Sequence, residues 1–218
     1  MDIKVVRDIL GANDQLALKN RRLLDDKKVF AINIMSSPGS GKTSLILKTA
    51  EKLKEKFKIG VIEGDIASSV DAEKMSQAGL RVVQINTGGE CHLDANMVSL
   101  ALDNLELDDI EVLFVENVGN LVCPAEFKLG EHLRVMILSA PEGEDKPFKY
   151  PLMFTESEAV IINKIDLLPY VKFDLERFEQ AVKGINPAVR FFPLSCYTGE
   201  GLEEWVLWLS SKIERARA

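Results

Sequence analysis

Cysteine and histidine are scarce in this sequence, which has three of the former and two of the latter among 218 residues. Three thiols that lie far apart do not make a disulfide framework, and they suit a reducing compartment. Apolar runs as long as a membrane span are missing, and the charges scattered through MDIKVVRDIL do not fit a secretory signal. These absences predict a cytoplasmic protein with no membrane partner.

An excess of basic residues is also missing. Lys and Arg number 27 against 34 Asp and Glu, which gives a net charge of −7. A nucleic-acid partner requires a basic surface, and so does docking on anionic lipid, so the composition argues against both. Internal repeats and low-complexity segments are lacking, while 46% of the residues are apolar, as expected of a globular protein with one ample core.

Short apolar runs alternate with helical patterns through most of the chain. Several runs are apolar continuously, as parallel strands covered on both faces require. The predicted strands are 29–35, 58–64, 81–86, 111–117, 133–139, 158–163 and 189–195. The predicted helices between them are 42–56, 71–78, 92–104, 173–184 and 201–213. This alternation predicts a doubly wound α/β fold with a mostly parallel sheet.

The ends of this pattern and one internal stretch stand apart from it. Apolar side chains recur on one face over 3–24, which predicts an amphipathic helix packed on the domain. We therefore divide the chain into an N-terminal helix, residues 1–27, and a single P-loop domain, residues 28–218. The proline- and charge-rich stretch 140–151 is predicted to be a mobile surface loop.

The stretch SSPGSGKTS follows the first strand and fits most of the P-loop pattern G-x-x-x-x-G-K-[ST], which predicts the fold class of P-loop NTPases. Ser36 stands where the first glycine belongs, and the alternative is a loop that merely starts a helix. Lys42 can reach the β- and γ-phosphates of a nucleotide, and the Thr43 hydroxyl can bind Mg²⁺. The predicted nucleotide contacts in this stretch are Gly39, Ser40, Gly41, Lys42, Thr43 and Ser44.

A second motif, NKID, ends a later strand and has the N-K-x-D pattern of GTPases. The Asp166 carboxylate can accept hydrogen bonds from N1–H and the 2-amino group of guanine, neither of which adenine offers. Lys164 would lie along the base, and Asn163 would tie the loops together. The stretch PLSCYTGEG resembles the last guanine-contacting loop of GTPases. The predicted guanine contacts are Asn163, Lys164, Asp166, Ser195 and Cys196.

Two acidic residues complete the candidate GTPase site. Glu116 begins an E-x-x-G stretch where GTPases commonly carry D-x-x-G, so the Gly119 N–H would contact the γ-phosphate and the carboxylate would lie near Mg²⁺. Asp65 is the candidate for positioning Mg²⁺ or the attacking water, with a helix N-cap as the alternative. No arginine finger is evident, which predicts slow hydrolysis. The predicted catalytic residues are Lys42, Asp65, Glu116 and Gly119, and the predicted Mg²⁺ ligands are Thr43, Asp65 and Glu116.

Cys91 and His92 are adjacent, and Cys123 follows Gly119 closely. Their spacing is not that of a zinc finger, and buried cysteine is often only a small hydrophobic residue. A nucleotide-driven movement of residues 116–120 would, however, move Cys123. Three Cys and His ligands suit Ni²⁺ or Zn²⁺, and they leave a position open for water or a second subunit.

Several segments together resemble the HypB family of GTPases, which assist nickel delivery to [NiFe]-hydrogenase: PGSGKT, NTGGECHLDA, ENVGNLVCPAEFKLGEH, EGEDKPFKYP and NKIDLLP. The resemblance covers nearly the whole chain, and ECHLDA and ENVGNLVCP are more particular to the family than the P-loop is. It implies a GTP-hydrolysing nickel metallochaperone that dimerises with GTP and holds metal at the dimer interface. Cys91, His92 and Cys123 match the interface ligands of that family.

One departure from the family pattern bears on the source of the nickel. Some members carry an N-terminal cysteine cluster or a histidine-rich tract, whereas the first cysteine here is Cys91. We therefore expect a separate protein to supply the metal. The resemblance implies three partners, namely a second copy of the chain, the zinc protein HypA near residues 3–24, and the hydrogenase large-subunit precursor. It implies GTP or GDP, Mg²⁺, and Ni²⁺ or Zn²⁺ as cofactors.

Three other functions stay open from the sequence. The nearest is a related GTPase that serves urease or cobalamin enzymes, although ECHLDA points away from it. A P-loop kinase acting on a small molecule is a second, against which NKID and the lack of an arginine-rich lid argue. A binding module that holds Zn²⁺ structurally and uses GTP only for stability is the third.

Overall fold

A seven-stranded parallel sheet forms the centre of the computed structural model, which describes residues 9–66 and 68–217. The strands are Phe30–Ser36 (β1), Ile59–Asp65 (β2), Arg81–Asn86 (β3), Val112–Glu116 (β4), Leu133–Ser139 (β5), Ala159–Asn163 (β6) and Arg190–Pro193 (β7). Their order in the sheet is β3-β2-β4-β1-β5-β6-β7, and every pair is parallel. The predicted α/β fold of the P-loop type is therefore confirmed.

Helices cover both faces of the sheet, so the central strands are buried on both sides. Within the described residues the α-helices are Ile9–Asp26 (α1), Lys42–Leu53 (α2), Val70–Gln77 (α3), Ala95–Leu102 (α4), Cys123–Glu126 (α5), Lys146–Lys149 (α6), Pro151–Thr155 (α7), Leu175–Ile185 (α8) and Leu202–Arg217 (α9). Trp205 of α9 packs against Phe192 of β7 on one face, and Leu24 and Leu102 belong to the core on the other. None of these helices is long and apolar enough to cross a membrane.

Helix α1 carries the N-terminal helix that the sequence predicts over 3–24, and residues 3–8 lie outside the described residues. Two buried asparagines attach it to the rest of the fold. The Asn13 Oδ1 accepts a hydrogen bond from the Ala95 N–H at 2.9 Å. The Asn20 Nδ2 donates to the Ala95 and Leu129 carbonyls at 2.8 and 2.9 Å. The Asn13 amide thus satisfies the N–H of Ala95, a helix N-terminal donor that no helix turn reaches, and Asn20 ties α1 to the start of α4 and to the segment before β5.

The helix predicted over 92–104 begins later than expected. Asp94 is its N-cap, and the Asp94 Oδ1 accepts a hydrogen bond from the Met97 N–H at 2.7 Å. Helix α4 therefore starts at residue 95. Cys91 and His92 consequently lie in the turn that precedes the helix, not in its first turn.

The prediction of a mobile loop over 140–151 is wrong. The stretch forms a 3-10 turn over Ala140–Glu142, helix α6 and the start of helix α7. Its prolines stand within the first two positions of these helical segments, where a missing N–H costs nothing. The Glu142 carboxylate accepts hydrogen bonds from the Ser139 N–H and hydroxyl, both at 2.7 Å. The prolines and charged residues of this stretch stand at helix starts and caps, and the same residue types are common in loops.

We expect Asn20→Ala to lower the free energy of unfolding by about 2 to 4 kcal/mol, because two buried carbonyls would lose their donor. Urea denaturation followed by circular dichroism measures the change. Asn104→Ala is the matched control, since the Asn104 amide donates to the Leu100 carbonyl at 2.8 Å on the exposed surface. That control is expected to cost less than about 0.5 kcal/mol. Equal losses in the two variants would contradict this account of how α1 is attached.

Candidate nucleotide and metal site

The turn between β1 and α2 has the backbone shape that a phosphate-binding loop requires. Gly39 and Gly41 have φ values of 75° and 104°, a region that side chains rarely allow. A Cβ at Gly41 would also lie 2.3 Å from the Asn163 Nδ2. The predicted P-loop glycines are therefore required by conformation at both positions and by space at the second.

Ser36, which replaces the first glycine of the P-loop pattern, has a definite partner. It is fully buried at the end of β1, and its hydroxyl accepts a hydrogen bond from the Lys42 Nζ at 3.1 Å. Burial lowers the pKa of the Lys42 amine, and the Glu116 carboxylate is the largest opposing influence. A bound phosphate would supply a negative counter-charge that stabilises the charged form of this buried amine.

A cavity of about 370 Å³ opens beside the P-loop. Asn163 forms one wall, since its Nδ2 donates to the Ser40 carbonyl at 2.9 Å and its Oδ1 accepts from the Cys196 N–H at 3.1 Å. The Lys164 Nζ donates to the Gly39 carbonyl at 2.7 Å. The lining residues are Gly41, Ser44, Leu47, Lys48, Asn163, Lys164, Asp166, Leu167, Cys196 and Tyr197. The NKID motif and the P-loop thus meet at one cavity.

Asp166 lines this cavity, and neighbouring groups fix its orientation. Its Oδ1 accepts a hydrogen bond from the Ser195 hydroxyl at 2.5 Å. The same hydroxyl oxygen accepts from the Tyr197 and Thr198 N–H groups at 3.2 and 3.1 Å. Burial raises the pKa of the Cys196 thiol to about 11, so this thiol stays neutral. Of the two residues predicted from PLSCYTGEG, Cys196 lines the cavity, and Ser195 lies behind it with its hydroxyl bonded to Asp166.

The acidic end of β4 lies against the P-loop. The Thr43 hydroxyl donates to the Glu116 Oε1 at 2.9 Å. A Cβ at Gly119 would lie 2.9 Å from the Pro38 N and Cα atoms, so the backbone after β4 touches the loop directly. Burial raises the pKa of Glu116 to about 7. Three of the predicted phosphate-side residues are thus in one place.

Asp65 stands at the end of β2, and its Oδ1 accepts a hydrogen bond from the Ser68 N–H at 2.7 Å. The alternative role as a helix N-cap does not apply, because α3 has Ser69 as its N-cap and starts at Val70. The carboxylate instead binds the backbone at Ser68, and Asp65 lies two residues along the chain from Glu63, which is in register with Glu116. That geometry is compatible with the predicted role near Mg²⁺.

Glu63 is a residue that the sequence analysis missed. Strand pairing places it in register with Glu116, and it is only 2% exposed. Burial, and then the neighbouring Glu116 charge, raises the pKa of Glu63 to about 8. Within the described residues the Oε2 atoms of both glutamates are buried without a hydrogen-bond partner. The signal was an acidic residue inside the otherwise apolar strand IGVIEGD.

These groups fit a hard divalent cation. Mg²⁺ prefers carboxylate, hydroxyl and water oxygens, and it usually shares its shell with substrate phosphates. The two unpartnered glutamate oxygens and the Thr43 hydroxyl are donors of that kind, placed at the loop that would hold the phosphates. The donor chemistry therefore agrees with the Mg²⁺ predicted from the motifs.

The predicted soft-metal ligands come together from two segments. The Cys91 Sγ lies 3.1 Å from the Cys123 Sγ and 3.7 Å from the His92 Nδ1. All three ligand atoms lie within 4.8 Å of one another, and the described residues hold no other such group of three. The His92 and Phe127 rings lie in contact, tilted by 38° with centroids 4.0 Å apart, and Val122, which precedes Cys123, is 51% exposed. The cluster is half-buried at the surface, and Cys123 begins helix α5.

The surroundings of Cys123 favour the protonated form of its thiol. The hydrogen bond with Cys91 is the largest cause, followed by burial, of a raised pKa at Cys123. A bound Ni²⁺ or Zn²⁺ would displace the proton, because the thiolate is the ligand form. Metal binding at this cluster is therefore expected to release protons.

Comparison with known proteins agrees with this geometry. The sequence profile of the CobW/HypB/UreG nucleotide-binding domain matches residues 30–193. The chain is 48% identical over 213 residues to the hydrogenase maturation factor HypB of Rhizobium leguminosarum bv. viciae, which covers 98% of this chain and 71% of that protein. This chain belongs to the HypB family. The resemblance inferred from the motifs is confirmed.

Solved structures of the HypB family have the same fold. The crystal structure of HypB from Archaeoglobus fulgidus superposes with a TM-score of 0.87 at 40% identity, over 93% of this chain and 99% of that one. The HypB of Helicobacter pylori in complex with nickel gives a TM-score of 0.89 at 36% identity, over 94% and 96% of the two chains. The HypB family is one of P-loop GTPases, so by class the chain is a GTPase.

We expect Glu63→Gln to stabilise the protein at pH 8 when nucleotide and Mg²⁺ are absent. The folded pKa of Glu63, about 8, exceeds its ordinary value of 4.5, so the folded state binds the proton more tightly than the unfolded state. Stability is therefore lost as the pH rises from about 4.5 towards 8, and an uncharged glutamine avoids that loss. The melting temperature of the variant should exceed that of the wild type by a few degrees at pH 8 and approach it at pH 5. A difference that grows at acid pH would contradict the assignment.

Proposed function

We propose that this protein hydrolyses GTP to control the handling of nickel during maturation of [NiFe]-hydrogenase. The observation that carries the proposal is the short chain segment between Glu116, which holds the Thr43 hydroxyl, and Cys123, which lies 3.1 Å from Cys91. A change at the phosphates therefore has only a few residues to cross before it reaches the soft-metal cluster. Relatives named as hydrogenase maturation factors, and a nickel complex of one of them, support the proposed cargo.

The proposed hydrolysis site consists of the residues around the P-loop. Lys42 would bind the β- and γ-phosphate oxygens, and the Gly119 N–H would donate to the γ-phosphate. Mg²⁺, held by Thr43 and Glu116 with Asp65 nearby, would neutralise charge on the phosphates. Asp65 would orient either the ion's water shell or the attacking water. The remaining phosphate contacts would be backbone N–H groups of Gly39, Ser40, Gly41 and Ser44.

The proposed base site selects guanine through Asp166. The Ser195 hydroxyl donates a hydrogen bond to the Asp166 Oδ1 and so fixes the plane of the carboxylate at the cavity. A guanine base would present N1–H and its 2-amino group to that carboxylate, whereas adenine would leave a carboxylate without donors. Lys164 would lie along the base, and Asn163 and Cys196 would close the loop around it.

The proposed nickel site is Cys91, His92 and Cys123. Three ligands leave at least one coordination position open, which suits a protein that must give its metal away. The cluster is half-buried beside the exposed Val122, and the loop after Asp65 exposes the apolar Ile66 and Val70. We propose that GTP promotes a homodimer across this face, in which water or the second subunit completes the shell of Ni²⁺ or Zn²⁺.

The other proposed partners follow from the family. The hydrogenase large-subunit precursor would receive the nickel, and the zinc protein HypA would supply it, with α1 as the surface for that contact. A cytoplasmic location fits a protein whose free thiols must stay reduced to bind metal.

Asp166→Asn is expected to weaken GTP binding by about 100-fold or more, because an amide presents a donor to the guanine 2-amino group. Titration with a fluorescent GTP analogue measures the loss. The same variant should gain affinity for xanthosine triphosphate, whose 2-oxo group accepts that donor. An equal loss of both nucleotides would point to misfolding of the NKID loop and would contradict the proposed contact.

Cys123→Ser is expected to lower the affinity for Ni²⁺ by about tenfold or more, because the metal loses a thiolate ligand. The affinity for GTP should stay within about twofold of the wild-type value, because the P-loop keeps its contacts. Calorimetric titration with each ligand separates the two effects. Cys196→Ser is the matched control, since this thiol lies in the base cavity and away from the cluster. Unchanged Ni²⁺ binding in Cys123→Ser would exclude the proposed metal site.

A further inference from the structure

A row of buried polar side chains lies next to the candidate metal ligands Cys91, His92 and Cys123. Asn117 and Asn33 are fully buried, and Glu131 and Arg134 are each 8% exposed. Strand pairing brings Asn33 of β1 into register with Arg134 of β5. Polar groups inside an apolar core are costly unless each has a partner, so the partners of these four residues define what the row connects.

The first end of the row is the amide of Asn117, which stands between Glu116 and Gly119. Its Oδ1 accepts hydrogen bonds from the Leu93 and Val118 N–H groups, both at 3.0 Å. Leu93 directly follows His92, and its side chain packs so closely on β2 that a Cβ at Gly64 would lie 2.8 Å from it. One amide oxygen therefore fastens the turn that carries Cys91 and His92 to the segment after β4.

The middle of the row passes through the sheet. The Asn117 Nδ2 donates to the Asn33 Oδ1 at 3.2 Å, and the Asn33 Nδ2 donates to the Glu131 Oε1 at 3.3 Å. The Arg134 Nε donates to the same Glu131 oxygen at 2.5 Å. Burial is the largest influence and raises the pKa of Glu131, but the Arg134 guanidinium and the hydrogen bonds from the Glu131 and Leu129 N–H groups together hold the pKa below its ordinary value. The row thus ends in a charged and fully engaged pair.

The second end of the row holds the other half of the metal cluster. The Arg134 guanidinium donates to the Ala125 and Phe127 carbonyls, both at 3.1 Å. These carbonyls belong to helix α5, which Cys123 begins, and to the residue just after it. The Phe127 ring also contacts the His92 ring, with centroids 4.0 Å apart. Both segments that supply the metal ligands are therefore hydrogen-bonded to one buried network.

We propose that Asn117 is a positioning residue that transmits the nucleotide state to the metal ligands. This inference rests on the proposed function and names how its two sites are coupled. When the γ-phosphate draws Gly119 towards it, Asn117 moves with the segment and carries Leu93, and hence Cys91 and His92, with it. Arg134 holds helix α5 to the sheet through Glu131 and Asn33, so the spacing between the two groups of ligands changes.

The test compares Ni²⁺ affinity in GDP and in a non-hydrolysable GTP analogue, measured by calorimetry on the full chain. For Asn117→Ala we expect the ratio of the two affinities to move about threefold or more towards one, because the Leu93 N–H loses its acceptor. Asn20→Ala is the matched control. It removes a buried asparagine amide whose hydrogen bonds go to the Ala95 and Leu129 carbonyls, not to the turn that carries Cys91 and His92 or to helix α5. This variant should therefore keep the wild-type ratio.

Asn117→Ser is a second variant for the case in which the alanine variant does not fold, since its hydroxyl is too short to reach Leu93 but can bind water. A wild-type ratio in a folded Asn117 variant would overturn the inference and leave the proposed function standing. A ratio of one in the wild type would overturn the proposed coupling itself, and the role of Asn117 with it. A ratio that falls equally in Asn20→Ala would also overturn it, because the effect would then be one of general stability.

Discussion

The pairing of β4 between β1 and β2 is the constraint on which both candidate sites depend. Because parallel strands end at the same edge of the sheet, Glu116 must emerge beside the P-loop and beside Glu63. The chain then has to turn across Pro38, which leaves no room for a side chain at Gly119. That turn leads into helix α5, which begins at Cys123 and is hydrogen-bonded to Arg134 of the sheet.

The same constraint explains why so many polar groups are buried at this edge. Lys42, Glu63 and Glu116 lie in a region where desolvation disfavours their charged forms. A site of this kind is incomplete without a polyanion and a divalent cation, which would bring the missing opposite charges. Buried carboxylates without partners destabilise a fold but can bind a cation, so their presence here fits a binding site better than a structural core.

Much of this could be predicted from the sequence. The continuous apolar strands and the P-loop and NKID motifs predicted the sheet and the position of the base cavity, because these features are local in the chain. The resemblance of ECHLDA and ENVGNLVCP to the HypB family predicted that Cys91, His92 and Cys123 belong together. Spacing alone did not, since the cluster forms only when the segments that follow β3 and β4 meet at one edge of the sheet.

Other features needed the fold. Glu63 reads as one acidic residue in a strand, and only its register with Glu116 reveals a buried pair. The network from Asn117 to Arg134 has no sequence pattern, because its members come from separate strands and loops. The stretch 140–151 has the composition of a loop although it is helical, because prolines at helix starts and capping glutamates are residue types that loops also contain.

The central claim is that nucleotide and metal binding are coupled, and thermodynamic linkage makes that claim reciprocal. The most direct measurement is the affinity for a non-hydrolysable GTP analogue relative to GDP, without Ni²⁺ and at saturating Ni²⁺. The account predicts that Ni²⁺ changes this ratio by about fivefold or more, as expected of two coupled sites. If Ni²⁺ binds and leaves both nucleotide affinities unchanged, the two sites are independent and the account is contradicted.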